Sequence, residues 1–416
     1  MRNPSAEFDA ECAGTTSGDR LEVHAWRGGA LVAENLPVSA WGVSWDAGRD
    51  VQGQASFTFA DPDGVLAPWG MGDALGAGGS RLQVTWVSGL SGIRVPLGWW
   101  RIREADPEEA WRVVRSGFRA ASGIWPSEDV YPSEETWPEL VQPRREGSVV
   151  RVAGGGLVSV RADEETATVA LERLDGEQAR AATVIAEVGR LLSGICAVVN
   201  RYGVLDGPVP ASLVYGESRL DAVRDLLATL DATYRMGPDG SLEIVPRGGV
   251  GPVWTLAGGE DGVLVRVRRR LSDEGVFNGV TSLGETPEGL PLVGRAVVKG
   301  GPLVWGGPYG RVPMFHRSPS QSQLGVAQDA ATLLANRLQR GEVDLSVTCL
   351  THPGVQMNDR VTVVAASTAG DQALEGRVVG MGMTSAQGTP AKRMNLTVRV
   401  SSDALEAVAS RVRRGR

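Results

Sequence analysis

Along residues 54–59 every second side chain is polar: Gln54, Ser56 and Thr58 alternate with Ala55, Phe57 and Phe59. A period of two is the period of a pleated strand, in which successive Cβ atoms point to opposite faces, so one face is buried and the other wetted. Residues 81–86 repeat the pattern, with Arg81, Gln83 and Thr85 set against Leu82, Val84 and Trp86. Turn chemistry follows such runs at Gly28-Gly29, Asp61-Pro62-Asp63-Gly64 and Ser91-Gly92, where glycine and aspartate accept backbone angles that strands do not. The 55 glycines and 23 prolines are scattered without a collagen-like period, so short strands and tight turns are expected along most of the chain. The predicted class is α+β, predominantly β, with antiparallel barrels or sandwiches.

A chain of 416 residues has room for about three domains. Residues 1–19 are polar and rich in Gly, Ser and Thr, and are predicted to be a flexible arm that only a partner would order. Period-two patterning over 20–118 marks a first β-domain. In 119–147, Pro126, Pro132, Pro138 and Pro143 interleave with Trp125, Tyr131 and Trp137, a loop insertion whose aromatics either serve an interface or cover their own barrel. Residues 148–250 form an α+β unit. Its first helix is expected over 176–192, with Ala181, Val184, Ile185, Val188, Leu191 and Leu192 on one face and Asp175 and Gln178 at capping spacing. A second opens at Ser218 with Asp221, and a hairpin follows around Gly237-Pro238-Asp239-Gly240. Residues 251–400 form a second β-domain with one helix over 322–340 and strands at 342–350, 360–364, 375–383 and 394–400. Residues 401–416 end the chain in a short helix and a basic tail, Arg411, Arg413, Arg414 and Arg416, which fits a solvated helix end better than a DNA-binding tail.

The charge pattern argues against nucleic-acid recognition. Net charge is −7, and Lys299 and Lys392 are the only lysines, whereas phosphate backbones are bound by clustered cations. An acidic surface serves solubility, and it also suits a conduit through which DNA passes without sticking. Three cysteines, Cys12, Cys196 and Cys349, lie far apart, with neither disulfide-framework nor zinc spacing. The first residues carry Glu7, Asp9 and Glu11 and no apolar core, so no secretory signal is expected. No uncharged apolar run approaches the roughly 18 residues of a membrane span.

No catalytic, cofactor or metal residue is assigned. His24, His316 and His352 are the only histidines, and none has the spacing of a metal or nucleophilic site. Gly154-Gly155-Gly156 lacks the following Lys-Ser/Thr of a phosphate cradle and is expected to be a turn. Glu134-Glu135 and Asp163-Glu164-Glu165 could in principle flank a glycosidic bond, but adjacent carboxylates are usually solvated. Ten of the twelve tryptophans lie between Trp26 and Trp137. Exposed rings stack on sugars, so Trp125, Tyr131 and Trp137 are the candidate interface or receptor residues, while Trp86 and Trp100 fit strand cores.

Ordered landmarks add a resemblance. Phe57-Thr58-Phe59-Ala60-Asp61-Pro62-Asp63-Gly64 is followed by Val95-Pro96-Leu97-Gly98 and Trp100-Arg101-Ile102. The paired helices and the hairpin at Asp239-Gly240 come next, then Pro252-Val253-Trp254-Thr255-Leu256. Leu271-Ser272-Asp273-Glu274-Gly275-Val276-Phe277-Asn278, Gly310-Arg311-Val312-Pro313 and Asn358-Asp359-Arg360-Val361 close the series. In this order, over roughly residues 21–400, they resemble the minor tail or baseplate-hub proteins of long-tailed phages of actinobacteria. The last landmark departs from the family's usual Gly-Asp, a change the turn survives because asparagine tolerates a left-handed backbone.

The resemblance implies a non-enzymatic virion protein of the tail tip or baseplate, built from two β-domains related to tail-tube subunits. Three copies would form a pseudo-sixfold ring that adapts the hexameric tube to a threefold tip and lines the passage for DNA ejection. Its partners would be its own copies in a homotrimer, the distal tail or tail tube protein, other tail-tip proteins and the tape measure protein. The alternatives are a receptor- or carbohydrate-binding tip protein and a tail-associated cell-wall hydrolase.

Overall fold

The computed structural model describes residues 6–14, 18–62, 64–108, 111–112, 152–153, 156–176, 178–209, 215–259, 262–269, 273, 276–285, 290–301, 303–317, 342–365, 371–386, 389–390 and 392–414. A short helix, α1 (Ala6–Ala13), precedes the strands β1 (Arg20–Arg27), β2 (Ala30–Ala33), β3 (Val38–Asp46), β4 (Gly53–Asp61), β5 (Arg81–Val87) and β6 (Arg94–Glu108). After the two-residue pair β7 (Trp111–Arg112) and β8 (Val152–Ala153) comes β9 (Gly156–Glu164). A mixed unit holds α2 (Thr166–Leu171), α3 (Val184–Leu191), β10 (Val198–Val199), α4 (Arg219–Thr229), β11 (Ala232–Met236) and β12 (Leu242–Pro246). The last part contains β13 (Val250–Ala257), β14 (Leu264–Arg269), β15 (Gly279–Glu285), β16 (Pro291–Val297), β17 (Pro313–Arg317), β18 (Glu342–Leu350), β19 (Asp359–Ala365), β20 (Gln372–Ala386), β21 (Thr389–Pro390), β22 (Arg393–Ser401) and α5 (Ser402–Arg414).

The protein is predominantly β, as its alternation requires, with the mixed α+β unit in the middle of the chain. Fourteen strands form one sheet: eleven along the path β14-β18-β22-β20-β3-β4-β9-β6-β5-β1-β2, with β19 and β21 paired to β20 and β13 paired to β19. Among the described residues this path stays open and closes no barrel. Its seam is the antiparallel pairing of β3 with β20, from Gly380↔Asp46 to Thr384↔Gly42, reinforced where the Trp41 N–H donates to Ser385 Oγ at 2.8 Å. Strands from the two ends of the sequence are therefore neighbours, and one hydrophobic core runs beneath both β-regions, from Phe57, Phe59 and Trp100 to Val361, Leu396 and Val398. A second core fills the mixed unit around Val188, Leu191, Leu226 and Ile244.

Local chemistry explains most element boundaries. Ser218 caps α4 by accepting the Asp221 N–H at 3.1 Å, as the spacing predicts. The hairpin of β11 and β12 sits where expected. Helix α3 is shorter than its apolar face suggests: it starts at Val184, not near 176. Glu187 accepts the backbone N–H groups of Arg180 (3.3 Å) and Ala181 (2.8 Å), and Thr183 is extended. The carboxylate thus holds the preceding segment outside the helix instead of an Asp175–Gln178 cap.

The expected flexible arm is also corrected. Residues 6–13 are helical and Phe8 is buried. The ordering surface belongs to the chain itself: Phe8 meets the His352 ring edge-on at 5.4 Å, and His352 Nε2 lies 2.9 Å from Asp9 Oδ1. The helix expected over 322–340 and the loop over 119–147 fall outside the described residues.

Two of the sequence landmarks meet. Asn278 donates through Nδ2 to the Gly310 carbonyl at 2.9 Å and accepts the Val312 N–H at 2.8 Å. One buried amide thereby ties the three-stranded sheet β16-β15-β17 to the segment before β17, with both its nitrogen and its oxygen bonded to backbone.

Candidate functional site

The solvent face of the large sheet is built by the same alternation that builds its core. Aligned register places Thr348, Asn395, Gly382, Ser44, Gln54 and Asp163 in one row across β18, β22, β20, β3, β4 and β9. The next row runs Thr384, Gly42, Ser56, Arg161 and Glu104, and a third Ala40, Thr58, Ser159 and Asp106. Six strands at about 4.8 Å spacing make a band roughly 24 Å wide, and its side chains are mostly small hydroxyls, amides and hydrogens. Gly382 has open space where a Cβ would stand, so its lack of a side chain leaves the band flat and is not forced by packing.

The cations on this band are paired, while Asp106 has no ion-pair partner among the described residues. Arg399 holds Asp344 in a bidentate bridge at 2.7 and 2.9 Å, Arg161 reaches Glu104 at 3.3 Å, and Arg103 reaches Asp163 at 3.5 Å. Burial pushes the Asp163 carboxyl up, with Arg103 and Arg49 opposing it. Within these six strands the surface presents hydrogen-bonding groups and paired cations, while the row through Thr348 continues onto β14 at Arg266, and the neighbouring Ser346 faces Arg268, two exposed arginines with no ion-pair partner among the described residues.

At one end of the band the mixed unit overhangs the sheet and encloses a cleft of about 570 Å³, lined by Ser44, Asp46, Arg49, Tyr234, Arg247 and Arg377 among others. Beneath it a buried ion network joins the mixed unit to the second β-region. Arg235 donates to Glu243 Oε2 (2.9 Å), Asp359 Oδ1 (2.8 Å) and the Met357 carbonyl (3.0 Å), and also to the Tyr202 hydroxyl. Burial opposes the guanidinium charge, but Asp359, Tyr202 and Glu243 outweigh it and keep the group protonated. The adjoining Asn358 adopts φ +65°, the left-handed angle its side chain suits, and donates through Nδ2 to the Pro246 carbonyl at 2.8 Å.

The residues singled out in the sequence are distributed differently. Trp125, Tyr131, Trp137 and Glu134-Glu135 lie outside the described residues, as do Gly154 and Gly155. Glu164 and Glu165 are buried, not solvated: Glu164 accepts the Trp45 indole N–H at 3.0 Å and Glu165 faces Arg81 at 3.2 Å. They serve as internal partners. His24 Nδ1 accepts the Asn35 N–H, and His352, packed between Phe8 and Trp254, clamps α1. Burial pushes the thiols of Cys12 and Cys349 up to about 12 and that of Cys196 to about 11, so none is a thiolate nucleophile at neutral pH. Among the described residues no group of three or more His, Cys, Asp or Glu is placed to hold a metal ion, and no helix is long and apolar enough to cross a membrane. The polar band itself was half legible: alternation marks Gln54, Ser56 and Thr58 as outward-facing, but only register shows which strands extend their rows.

No family model matches the chain, and no curated protein matches it in sequence. Among solved structures it is similar to the tail protein from Neisseria meningitidis MC58, at 14% identity and TM-score 0.57 over 91% of this chain and 96% of that one. It is likewise similar to the 43 kDa tail protein of prophage MuSo2 from Shewanella oneidensis, at 12% identity and TM-score 0.57 over 93% and 99%. A Francisella PdpA-VgrG complex matches at TM-score 0.50 and 7% identity, over 93% of this chain and 59% of that one. At these identities the likeness is one of fold, and it spans nearly the whole length of both tail proteins.

Proposed function

We propose that this chain is a structural, non-enzymatic hub subunit at the tip or baseplate of a phage tail. Three copies, each contributing two β-regions, would close a pseudo-sixfold ring that adapts a hexameric tube to a threefold tip. The observation that carries this is the continuous polar band across β18, β22, β20, β3, β4 and β9, which the β3–β20 seam makes a single surface. Turned toward the axis of a ring, it supplies a wall of hydroxyls, amides and paired ions. A polyanion passing such a wall releases few counterions on contact and so slides without salt-dependent retention. The fold shared with two tail proteins and the hub-like landmarks of the sequence support the same assignment, which places the protein in the virion. Its neighbours would be the tail tube or distal tail protein on one side, and tip proteins with the tape measure protein on the other.

Electron microscopy tests this directly. Immunogold label on lysate particles is expected at the tail end away from the head, and class averages of the purified chain are expected to show a threefold ring with the polar band facing its lumen. Unlabelled particles whose denatured blot also lacks the chain would remove it from the virion. A ring that turns the band outward would remove it from the channel wall.

A further inference from the structure

The two ends of the open sheet have opposite chemistry. One end is β2, which has no charged side chain and leaves Leu31 and Val32 more than two-fifths exposed. Beside it lies the β4–β5 loop, which exposes Trp69 by 82%, Val65 by 81% and Met71 by 66%. This loop is held firmly. Asp61, buried, accepts the N–H groups of Val65, Leu66 and Ala67 at 2.8, 3.1 and 2.9 Å. Asp73 accepts those of Trp69 and Gly70 at 2.6 and 2.8 Å. Arg27 Nη1, from β1, donates to the Met71 carbonyl at 3.0 Å. Gly76 and Gly78 lie so close to the 70–71 backbone that a Cβ at either would fall within 2.7 Å of a carbonyl oxygen. A tryptophan displayed on a pre-ordered loop loses little entropy when it is covered, which is the condition of an interface anchor.

The other end is β14, Leu264–Arg269, where Val265, Arg266, Arg268 and Arg269 are exposed. Among the described residues no carboxylate stands within ion-pair distance of these three arginines. Two β14 edges brought together would set guanidinium against guanidinium. Two β2 edges would leave the arginines uncovered. A β2 edge against a β14 edge meets neither penalty: exposed backbone edges pair, the indole of Trp69 receives a guanidinium on its face, and Glu34 and Asp73 supply carboxylates nearby.

We propose that the β2 edge and the Trp69 loop of one subunit form the docking surface for the β14 edge of a second copy of this chain. Each subunit then offers one end and receives the other, a head-to-tail contact that closes into a ring. This rests on the ring-forming function proposed above and names the contact that makes the ring.

The test uses the full chain. With Trp69→p-benzoylphenylalanine, photo-crosslinks mapped by mass spectrometry are expected to join position 69 to residues 264–269 of another copy. By mass photometry, Trp69→Ala and Arg266→Glu/Arg268→Glu are each expected to raise the concentration at which the oligomer dissociates by about tenfold or more. Their melting curves should stay at the wild-type position, since all three side chains are exposed. Rings that survive these substitutions unchanged, or crosslinks from loop to loop or to a different tail protein, would overturn the contact and leave the ring standing. A wild-type chain that remains monomeric at ~100 µM, far above the dissociation constants of stable interfaces, would overturn both.

Discussion

The two faces of the large sheet are made by the same strands and differ at every second residue. Trp45, Phe57, Val160, Leu396 and Val398 point into the common core, while Ser44, Ser56, Ser159, Asn395 and Thr397 point to solvent. Backbone pairing is common to both faces, so the difference lies in what each side chain meets. Each large apolar side chain on the inner face contributes roughly 1.5–3 kcal/mol by leaving water. The outer face contributes little to stability, and that leaves its composition free to vary without loss of the fold.

The widest expected separation between the faces comes from Phe59→Ala against Ser56→Ala. Removing the buried ring should cost about 3–5 kcal/mol, while the exposed hydroxyl should matter by less than about 0.5 kcal/mol. Urea unfolding monitored by tryptophan fluorescence measures both, and similar midpoints would break the comparison.

Arg235→Ala should cost a comparable ~3–5 kcal/mol, because it removes the buried cation that bridges Asp359 and Glu243 and leaves Glu243 only the more exposed Arg201. Hydrogen exchange should show the loss first where the mixed unit meets β19. Uniform loss across the whole sheet would mean that Arg235 is not a local junction.

Glu187 sharpens the contrast through pH. Burial opposes its charge, but Arg190, the Ala181 N–H, Tyr215 and the Arg180 N–H outweigh burial and hold the carboxyl down at about 2. A carboxyl whose folded-state value lies below its unfolded one stabilises the fold above the unfolded value. The contribution, about 3 kcal/mol at neutral pH, is lost as pH falls from roughly 4 toward 2. Acid titration followed by far-ultraviolet circular dichroism should therefore unfold the α3 region in that window. Glu187→Gln should remove the same increment at pH 7 and leave the titration flat there.

Smaller effects are expected at the turn and on the outer face. Asn358→Ala should cost about 1–2 kcal/mol for placing an alanine in the left-handed region, and Asn358→Gly should recover the backbone part. Thr397→Lys should leave stability within about 0.5 kcal/mol yet introduce salt-sensitive retention of the assembled chain on double-stranded DNA. Retention equal to that of the unmodified chain would mean that the band does not meet DNA.

Much of the fold was legible before any coordinates. Alternation located β4, β5, β18 and β22 to within a residue or two, Ser218 marked the start of α4, and Asn358 marked a left-handed turn. These signals are local: a strand's period, a cap's donor and a turn's φ depend on residues a few positions apart. The α3 boundary failed because Glu187, which looks like an ordinary helix residue, bonds backward to the segment that would have extended the helix. The tryptophans show the same limit. Alternation placed Trp100 in a strand core, where it has no solvent contact, but only packing shows Trp69 exposed.

Sequence alone determined that the chain is mostly β, where its strands alternate and where its middle turns helical. Those properties follow from side-chain period and composition, which need no partner in space. Only the tertiary structure decided that β3 pairs with β20 across more than 300 residues of chain, that α1 is seated by His352, that Arg235 ties the mixed unit to the sheet, and that six strands align their small polar residues into one band. Each of these depends on contacts between segments remote in sequence, where the identity of one partner says nothing about the other until the chain has closed the loop between them.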